Sequence, residues 1–142
     1  MFVKQLSIFV ENKSGRLADI IDAIAAAGID IRAVSIADTT DFGILRLIVN
    51  DTEKAINIMK EAGFTVGRTA VVAVEVDDKP GGLNNILEAL SGQNVNVEYM
   101  YAFVQEGGGS ATMIFRFDRI DQAIEVLKAK NIPIIPADRI NG

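Results

Sequence analysis

The stretch Glu-Asn-Lys-Ser-Gly-Arg-Leu, residues 11–17, joins a strand-like apolar run to an apolar run with helical spacing. The chain nearly repeats it as Asp-Asp-Lys-Pro-Gly-Gly-Leu, residues 77–83. Gly15 and Gly81 stand 66 positions apart, and so do Leu17 and Leu83. A turn that recurs at a constant displacement predicts that the chain contains two copies of one structural unit.

The pattern around both turns predicts the same order of elements. The first half reads as a strand over residues 2–10, a helix, a hairpin built from residues 29–38 and 44–49, a second helix and a short strand at residues 64–66. The second half begins with a strand over residues 70–76 and ends with one over residues 132–135. Each half is therefore predicted to be βαββαβ.

This order predicts an α+β fold made of two ferredoxin-like repeats, residues 1–68 and 69–142. In each repeat, two helices would cover one face of a four-stranded antiparallel sheet. A unit of about seventy residues has a thin core, so we expect the two repeats to pair and bury further surface.

Helix ends repeat as well. Gly28 and Asn94 are 66 positions apart, and both residue types tolerate the left-handed conformation that follows a helix. Asn50 followed by Glu53 resembles a capping box, and Asp118 stands in the corresponding place of the second half.

Composition excludes several function classes. The net charge of −5 and the pI of about 4.7 disfavour nucleic acid and anionic membranes as partners. The chain has no cysteine and no histidine, which removes thiolate chemistry, the commonest general base and the commonest transition-metal ligand. No segment reads as a signal peptide or a membrane span. We expect a soluble cytoplasmic protein without a cofactor or metal.

The repeated turn is a candidate ligand site. A strand end, a short turn and a helix start leave backbone amides pointing outwards, which favours an anion such as a carboxylate. Asp30 and Asn96 begin the next strand of each half, and the crossover is expected to bring them to the turn. We pair Asn12 with Asp30 and Asp78 with Asn96, so that each half offers one acid to an ammonium group.

Together these features describe a receptor for an amino-acid zwitterion. The alternative is that they are ordinary turn and cap residues, with Ser14 capping its helix. The residues by themselves leave both interpretations open.

The first half resembles a known family. Val-Glu-Asn-Lys-Ser-Gly-Arg-Leu and Ala-Gly-Ile-Asp-Ile-Arg-Ala-Val-Ser-Ile-Ala are similar to the opening of the regulatory small subunit of acetolactate synthase, and more generally to an ACT domain. In the second half, Asp-Lys-Pro-Gly-Gly-Leu and Gln-Asn-Val-Asn-Val also resemble an ACT domain. The resemblance covers nearly the whole chain. Asp30 departs from it, because the acetolactate synthase regulators usually have Asn there.

The resemblance implies that the repeats pair side by side and hold a free amino acid at their seam. The implied ligand-binding residues lie in the loop after the first strand and at the start of the second strand of each repeat. They are Asn12, Ser14, Gly15, Arg16, Leu17 and Asp30 in the first copy, and Asp78, Pro80, Gly81, Gly82, Leu83 and Asn96 in the second.

The leading hypothesis is a non-catalytic amino-acid sensor that acts on an enzyme or regulatory protein in another chain. The alternatives are a ligand-free interaction module and a regulatory subunit of an enzyme of amino-acid metabolism. A split-βαβ enzyme ranks last, because no nucleophile with a nearby base can be named. The sequence leaves open which amino acid binds and whether the chain forms a homodimer.

Overall fold

The computed structural model describes residues 2–11, 13–38, 41–103 and 109–141, with only the backbone described at residue 38. The strands are β1 (Val3–Glu11), β2 (Ile31–Asp38), β3 (Phe42–Val49), β4 (Thr65–Asp77), β5 (Val97–Phe103), β6 (Ser110–Phe117) and β7 (Ile134–Ile135). The helices are α1 (Arg16–Ala26), α2 (Thr52–Glu61), α3 (Gly82–Leu90), α4 (Ile120–Ala129) and α5 (Ala137–Asn141).

The chain divides into two compact units. The amino-terminal unit comprises Lys4–Thr69 with Asn141–Gly142, and the carboxy-terminal unit comprises Met1–Val3 with Ala70–Ile140. The division falls inside β4, which the sequence predicted as two separate strands. Residues 67–69, Gly-Arg-Thr, carry no apolar side chain, so the hydrophobic pattern breaks there while the backbone stays in one strand.

In the amino-terminal unit the strand order is β2-β3-β1-β4. Both β1 and β2 run antiparallel to β3, with Leu6 opposite Leu47 and Ile36 opposite Leu45. Strands β1 and β2 are therefore parallel to each other, as a βαβ crossover requires. A hydrogen bond between the Ser7 and Thr69 hydroxyl groups, 2.9 Å long, joins β1 to the first part of β4.

Two helices cover one face of this sheet. Leu6, Ile8 and Leu47 point from the strands into a fully buried core, where they pack with Ile24 of α1 and Met59 of α2. These helix residues recur at the spacing that the amphipathic pattern predicted. Their burial is what makes these segments stable helices.

The carboxy-terminal unit repeats the arrangement. Strand β4 pairs with β6 and β7, and β5 pairs with β6, all antiparallel. Val74 and Phe115 of the sheet pack with Ile86 of α3 and Leu127 of α4 in a second core. The predicted α+β class with βαββαβ units is confirmed.

Tertiary hydrogen bonds repeat as well. In the amino-terminal unit, the Lys54 ammonium donates to the Ala27 carbonyl oxygen, 2.9 Å away. In the carboxy-terminal unit, the Gln122 side-chain amide donates to the Gln93 carbonyl oxygen, 2.6 Å away. Each bond ties the start of the second helix of a unit to the segment that follows its first helix.

The terminal helix α5 was not predicted. Its last residue, Asn141, accepts a hydrogen bond from the Lys4 backbone amide and donates to the Lys4 carbonyl oxygen, at 3.1 and 3.0 Å. The same side chain donates to the Val49 carbonyl oxygen at 3.1 Å. The Asn141 amide group thus pairs with backbone groups at the start of β1 and the end of β3.

No helix in the described part of the chain has the length and apolar character needed to span a bilayer.

Candidate ligand-binding site

The two repeated turns have almost the same backbone. Gly15 (φ 88°, ψ −14°) and Gly81 (φ 87°, ψ −8°) are the N-cap residues of α1 and α3. Both lie in the left-handed region, which glycine occupies without steric cost. Among the described residues no side chain caps either helix, so Ser14 does not cap α1. The first helical amides, of Arg16 and Gly82, donate to the Lys13 and Lys79 carbonyl oxygens at 3.3 and 3.0 Å, so an anion would meet the amides that follow them. Such helix starts favour an anion.

The second turn is tighter than the first. A Cβ atom added at Gly82 would lie 2.0 Å from the Asp77 carbonyl oxygen. The same position in the first repeat carries Arg16. Gly82 therefore has a packing role, whereas Arg16 places a guanidinium at the start of its helix. Pro80 precedes the N-cap and therefore stands two residues before the first helical position, where proline usually helps a helix begin.

The residues just before β2 and β5, Asp30 and Asn96, each make two hydrogen bonds with the residue that follows the next strand. The Asp30 amide donates to Asn50 Oδ1 at 2.9 Å, and the Asn50 amide donates to the Asp30 carbonyl oxygen at 3.2 Å. The second repeat does the same between Asn96 and Asp118, at 2.8 and 3.1 Å. The predicted capping box at Asn50 is therefore wrong. Asp51 caps α2 instead, by accepting from the Lys54 amide.

The predicted meeting of the turn with the next strand start inside each half is also wrong. Glu11, at the end of β1, lies opposite Phe42, whereas Ile31, at the start of β2, lies opposite Val49. Because β1 and β2 are parallel, these two points lie at opposite ends of the sheet, about 25 Å apart for a strand of this length. One amino acid cannot bridge the first turn and Asp30 within this unit.

The second repeat follows the same rule. Asp77 lies opposite Ser110 and Val97 lies opposite Phe117, so Asp78 and Asn96 are also at opposite ends of their sheet. Asn12 lies outside the described residues. The side chains of Ser14, Arg16, Leu17, Asp30, Asp78, Pro80 and Asn96 are exposed, and Leu83 is half-buried against the second core.

The structure places Arg16 at a cavity of about 210 Å³ in the amino-terminal unit. The cavity lies at the strand end where β1 finishes and β3 starts, and it is also lined by Phe9, Glu11 and Phe42. The Phe9 and Phe42 side chains are 52% and 51% exposed, although phenyl rings usually gain most from burial. Phe9 lies opposite Ile44 and Glu11 opposite Phe42, so the three cavity residues share one face of the sheet.

The connection from α2 to β4 forms another wall of this cavity, residues 62–65. Gly63, with φ 87°, ends the helix in the left-handed conformation. The amides of Gly63 and Phe64 donate to the carbonyl oxygens of Lys60 and Met59, both at 3.0 Å. This closed turn directs Phe64 towards the first core and leaves Thr65 exposed at the cavity.

An ion pair borders the cavity. Lys13 Nζ lies 3.0 Å from Glu11 Oε2, and the hydrogen bond and charge of Lys13, with the charge of Arg16, lower the pKa of the Glu11 carboxyl. Glu11 is therefore a carboxylate at neutral pH. At the other end of α2, Arg68 Nε donates to Glu53 Oε2 at 2.8 Å, and this hydrogen bond lowers the pKa of Glu53.

The carboxy-terminal unit has a different cavity, of about 450 Å³ and more open to solvent. It lies beyond the end of α3, where Asn94 has φ 62°. Asn96 and Asp118 line it together. The left-handed conformation predicted at Asn94 is confirmed, although α3 itself already ends at Leu90. Within the βαββαβ fold, this cavity thus lies at the end opposite to that of the 210 Å³ cavity.

Comparison with known proteins identifies the family. The model of the ACT domain pair matches residues 1–141. The chain belongs to the ACT domain pair family. No curated protein matches the ACT pair's sequence.

Solved structures show the same ACT architecture. The crystal structure of protein BT0572 from Bacteroides thetaiotaomicron is 42% identical and covers 97% of this chain and 94% of that chain, with a TM-score of 0.91. The ligand-free regulatory subunit of aspartate kinase from Thermus thermophilus is 16% identical over 90% of both chains, with a TM-score of 0.64. The corresponding subunit from Thermus flavus is 12% identical over 89% of this chain and 90% of that one, with a TM-score of 0.62. At these last two identities the likeness shows the fold alone.

Sequence reasoning missed three of the ACT pair's cavity residues, Phe9, Glu11 and Phe42. Phe9 stands on the strand face whose other members, such as Gln5 and Ser7, are polar. The alternation of apolar and polar residues therefore did not mark Phe9 as a core or site residue. A signal was nevertheless present, because both Phe9 and Phe42 lie within two or three residues of a turn, where a large apolar side chain has few core neighbours.

Proposed function

We propose that this ACT domain pair is a non-catalytic regulatory protein that binds a free amino acid and passes its occupancy to a partner protein. The observation that carries the proposal is the first turn. There, an uncapped helix start at Gly15 lies beside the cationic side chain of Arg16 and the carboxylate of Glu11. A helix start with a guanidinium suits a carboxylate, and a carboxylate side chain suits an ammonium group.

The proposed ligand-binding residues of the first repeat are Ser14, Gly15, Arg16 and Leu17. Their counterparts in the second repeat, and the strand-start residues Asp30 and Asn96, stay predictions. So does the hypothesis that the ligand lies where the two repeats meet. If it does, substitutions in both repeats will weaken binding of the same single ligand.

We propose that the ligand regulates the partner protein by ordering the turn after β1. A ligand that contacts Ser14 and Gly15 restricts their motion, and a partner that prefers the restricted turn then binds more tightly. Hydrogen exchange of the turn amides with and without ligand tests this step. Equal exchange rates in the two states would contradict it.

Family membership supports a role in amino-acid metabolism, but it does not name the partner. The narrower resemblance to the regulatory small subunit of acetolactate synthase stays a prediction. Co-purification of the chain with a biosynthetic enzyme, dependent on the bound amino acid, would support a regulatory-subunit role.

A second candidate is a protein-interaction module that uses the same fold without a ligand. The observation in its favour is strand β2, whose Val34 and Ile36 side chains are 48% and 54% exposed. Among the described strands β2 pairs with β3 alone, so its other edge offers backbone groups to a further strand, against which these exposed side chains would pack.

A calorimetric and thermal-shift screen against the twenty amino acids tests the proposal. At a hundred times the dissociation constant, a native-state ligand adds about 2.7 kcal/mol, which corresponds to roughly 5–10 °C in Tm for a chain of this size. We expect one selective, saturable response. It should fall in Gly15→Ala, which strains a residue with positive φ, and persist in Gly67→Ala, where the added methyl group meets open space. The absence of any response would favour the interaction module.

A further inference from the structure

We propose that the cavity of the amino-terminal unit selects an amino acid with an aromatic or branched apolar side chain, and that the carboxy-terminal unit has no equivalent site. The inference rests on the proposed function and names the ligand class, the location and the stoichiometry. Its basis is the chemistry of the cavity lining and the comparison of that lining between the two repeats.

The apolar part of the cavity comes from phenyl rings. Phe9 and Phe42 lie on neighbouring strands one diagonal step apart, within reach of each other's side chains. About half of the surface of each phenylalanine is exposed, so a ligand side chain laid against them would remove apolar surface from water. A polar ligand side chain would lose its hydration there without gaining a hydrogen bond from the rings.

The charged part of the cavity comes from Arg16 and Glu11, which line it together with the rings. A guanidinium forms paired hydrogen bonds with a carboxylate, and a carboxylate accepts from an ammonium group. The two anchors match the two charges of an amino-acid backbone, and the rings match its side chain. The volume of about 210 Å³ is smaller than the 300–1,000 Å³ typical of drug-sized ligands, which favours a ligand as small as one amino acid.

The second repeat provides an internal comparison. Its backbone copies the turn, since Gly81 has the same left-handed conformation as Gly15. Its side chains do not copy the cavity, because Glu75 stands in the place of Phe9 and Gly82 in the place of Arg16. Gly82 is buried against the Asp77 carbonyl oxygen, which leaves no room for a side chain there. The turn backbone is therefore present in both repeats, but the proposed combination of binding side chains is present in the first repeat only.

The test measures binding of L-phenylalanine, L-leucine, L-serine and L-aspartate to the full chain by isothermal titration calorimetry. We expect binding of the two apolar amino acids with one molecule per chain. Phe9→Ala should weaken this binding roughly tenfold or more, because it removes one apolar wall. Arg16→Gln should weaken it roughly thirtyfold or more, because the ligand carboxylate loses its charged partner. Glu75→Ala is the matched control at the equivalent position of the second repeat and should leave binding unchanged.

Two analogues of phenylalanine test which side chain binds each charged group of the ligand. L-phenylalaninamide lacks the carboxylate and should lose its dependence on Arg16, whereas N-acetyl-L-phenylalanine lacks the ammonium group and should lose its dependence on Glu11, measured with Glu11→Gln. Arg16 and Glu11 are exposed side chains and the Glu11–Lys13 ion pair lies at the surface, so both variants should stay folded, with at most a small fall in melting temperature for Glu11→Gln.

The outcomes distinguish failure of this inference from failure of the proposed sensor function. Binding of a polar amino acid that persists in Phe9→Ala and Arg16→Gln would overturn this inference and leave the sensor function standing. Two apolar molecules per chain would also overturn it. If none of the twenty amino acids binds the parent protein, the sensor function fails and this inference fails with it.

Discussion

Gly82→Ala is expected to destabilise the carboxy-terminal unit, even though alanine is the better helix former. The added Cβ would lie 2.0 Å from the Asp77 carbonyl oxygen and 3.0 Å from its carbon. Both are backbone atoms, so no side chain can rotate away, and the turn must open by about 1 Å to reach a tolerable contact. Overpacking of this kind costs about 1–3 kcal/mol, against a helix-propensity gain of at most about 1 kcal/mol.

Opening the turn would also strain its hydrogen bonds. The Lys79 amide donates to the Asp77 carbonyl oxygen at 2.9 Å, and the Gly82 amide donates to the Lys79 carbonyl oxygen at 3.0 Å. Loss of either bond adds about 1 kcal/mol. We therefore expect the free energy of unfolding to fall by about 1–3 kcal/mol in total.

Urea denaturation, followed by circular dichroism, measures this change beside two controls. Gly81→Ala places alanine at φ 87° in open space, which costs about 1–2 kcal/mol of backbone strain without any clash. Gly67→Ala meets no atom within 4 Å and lies in strand β4, so it should be neutral or slightly stabilising. A Gly82→Ala protein as stable as the Gly67→Ala protein would refute the reasoning that Gly82 is required by the close approach of Asp77.

Three further predictions concern the hydrogen bond to Asp30, the amino-terminal core and the Glu11 ion pair. Asn50→Ala should lower the free energy of unfolding by about 1 kcal/mol, because the Asp30 amide loses its 2.9 Å acceptor; an unchanged urea midpoint would contradict this. Leu47→Ala should cost about 2–5 kcal/mol because the side chain is fully buried, whereas Val34→Ala, at an exposed position, should stay within about 0.5 kcal/mol; equal effects in thermal denaturation would contradict the assigned core. Because the folded-state pKa of Glu11 is lowered, its ion pair should stabilise the fold at neutral pH and be lost as the pH falls through that lowered pKa; Glu11→Gln should flatten this acid limb of a stability profile, and an unaltered limb would speak against the pairing.

Local features of the fold were predictable because they depend on near neighbours in the chain. The left-handed conformation of Gly28, with φ 72°, was predicted from a helical pattern that ends at a glycine within a few residues. The 66-residue displacement required the same backbone twice, and Asn94 then took the place of Gly28 with φ 62°. The capping box at Asn50 was predicted wrongly because its Oδ1 atom bonds the Asp30 amide, 20 positions earlier, and a local pattern does not include that partner.

The sequence by itself determined the two βαββαβ units, their turns and the residue types available at each turn, since hydrophobic periodicity and glycine conformation act over short distances. Only the tertiary structure decided which of these residues lie close together. Strand direction put Asp30 at the far end of the sheet from the first turn, and strand pairing brought Phe9, Glu11 and Phe42 to the cavity that Arg16 lines. The physical reason is that the register between strands is set by burial of the whole apolar face, so the neighbours of an exposed side chain depend on every buried one.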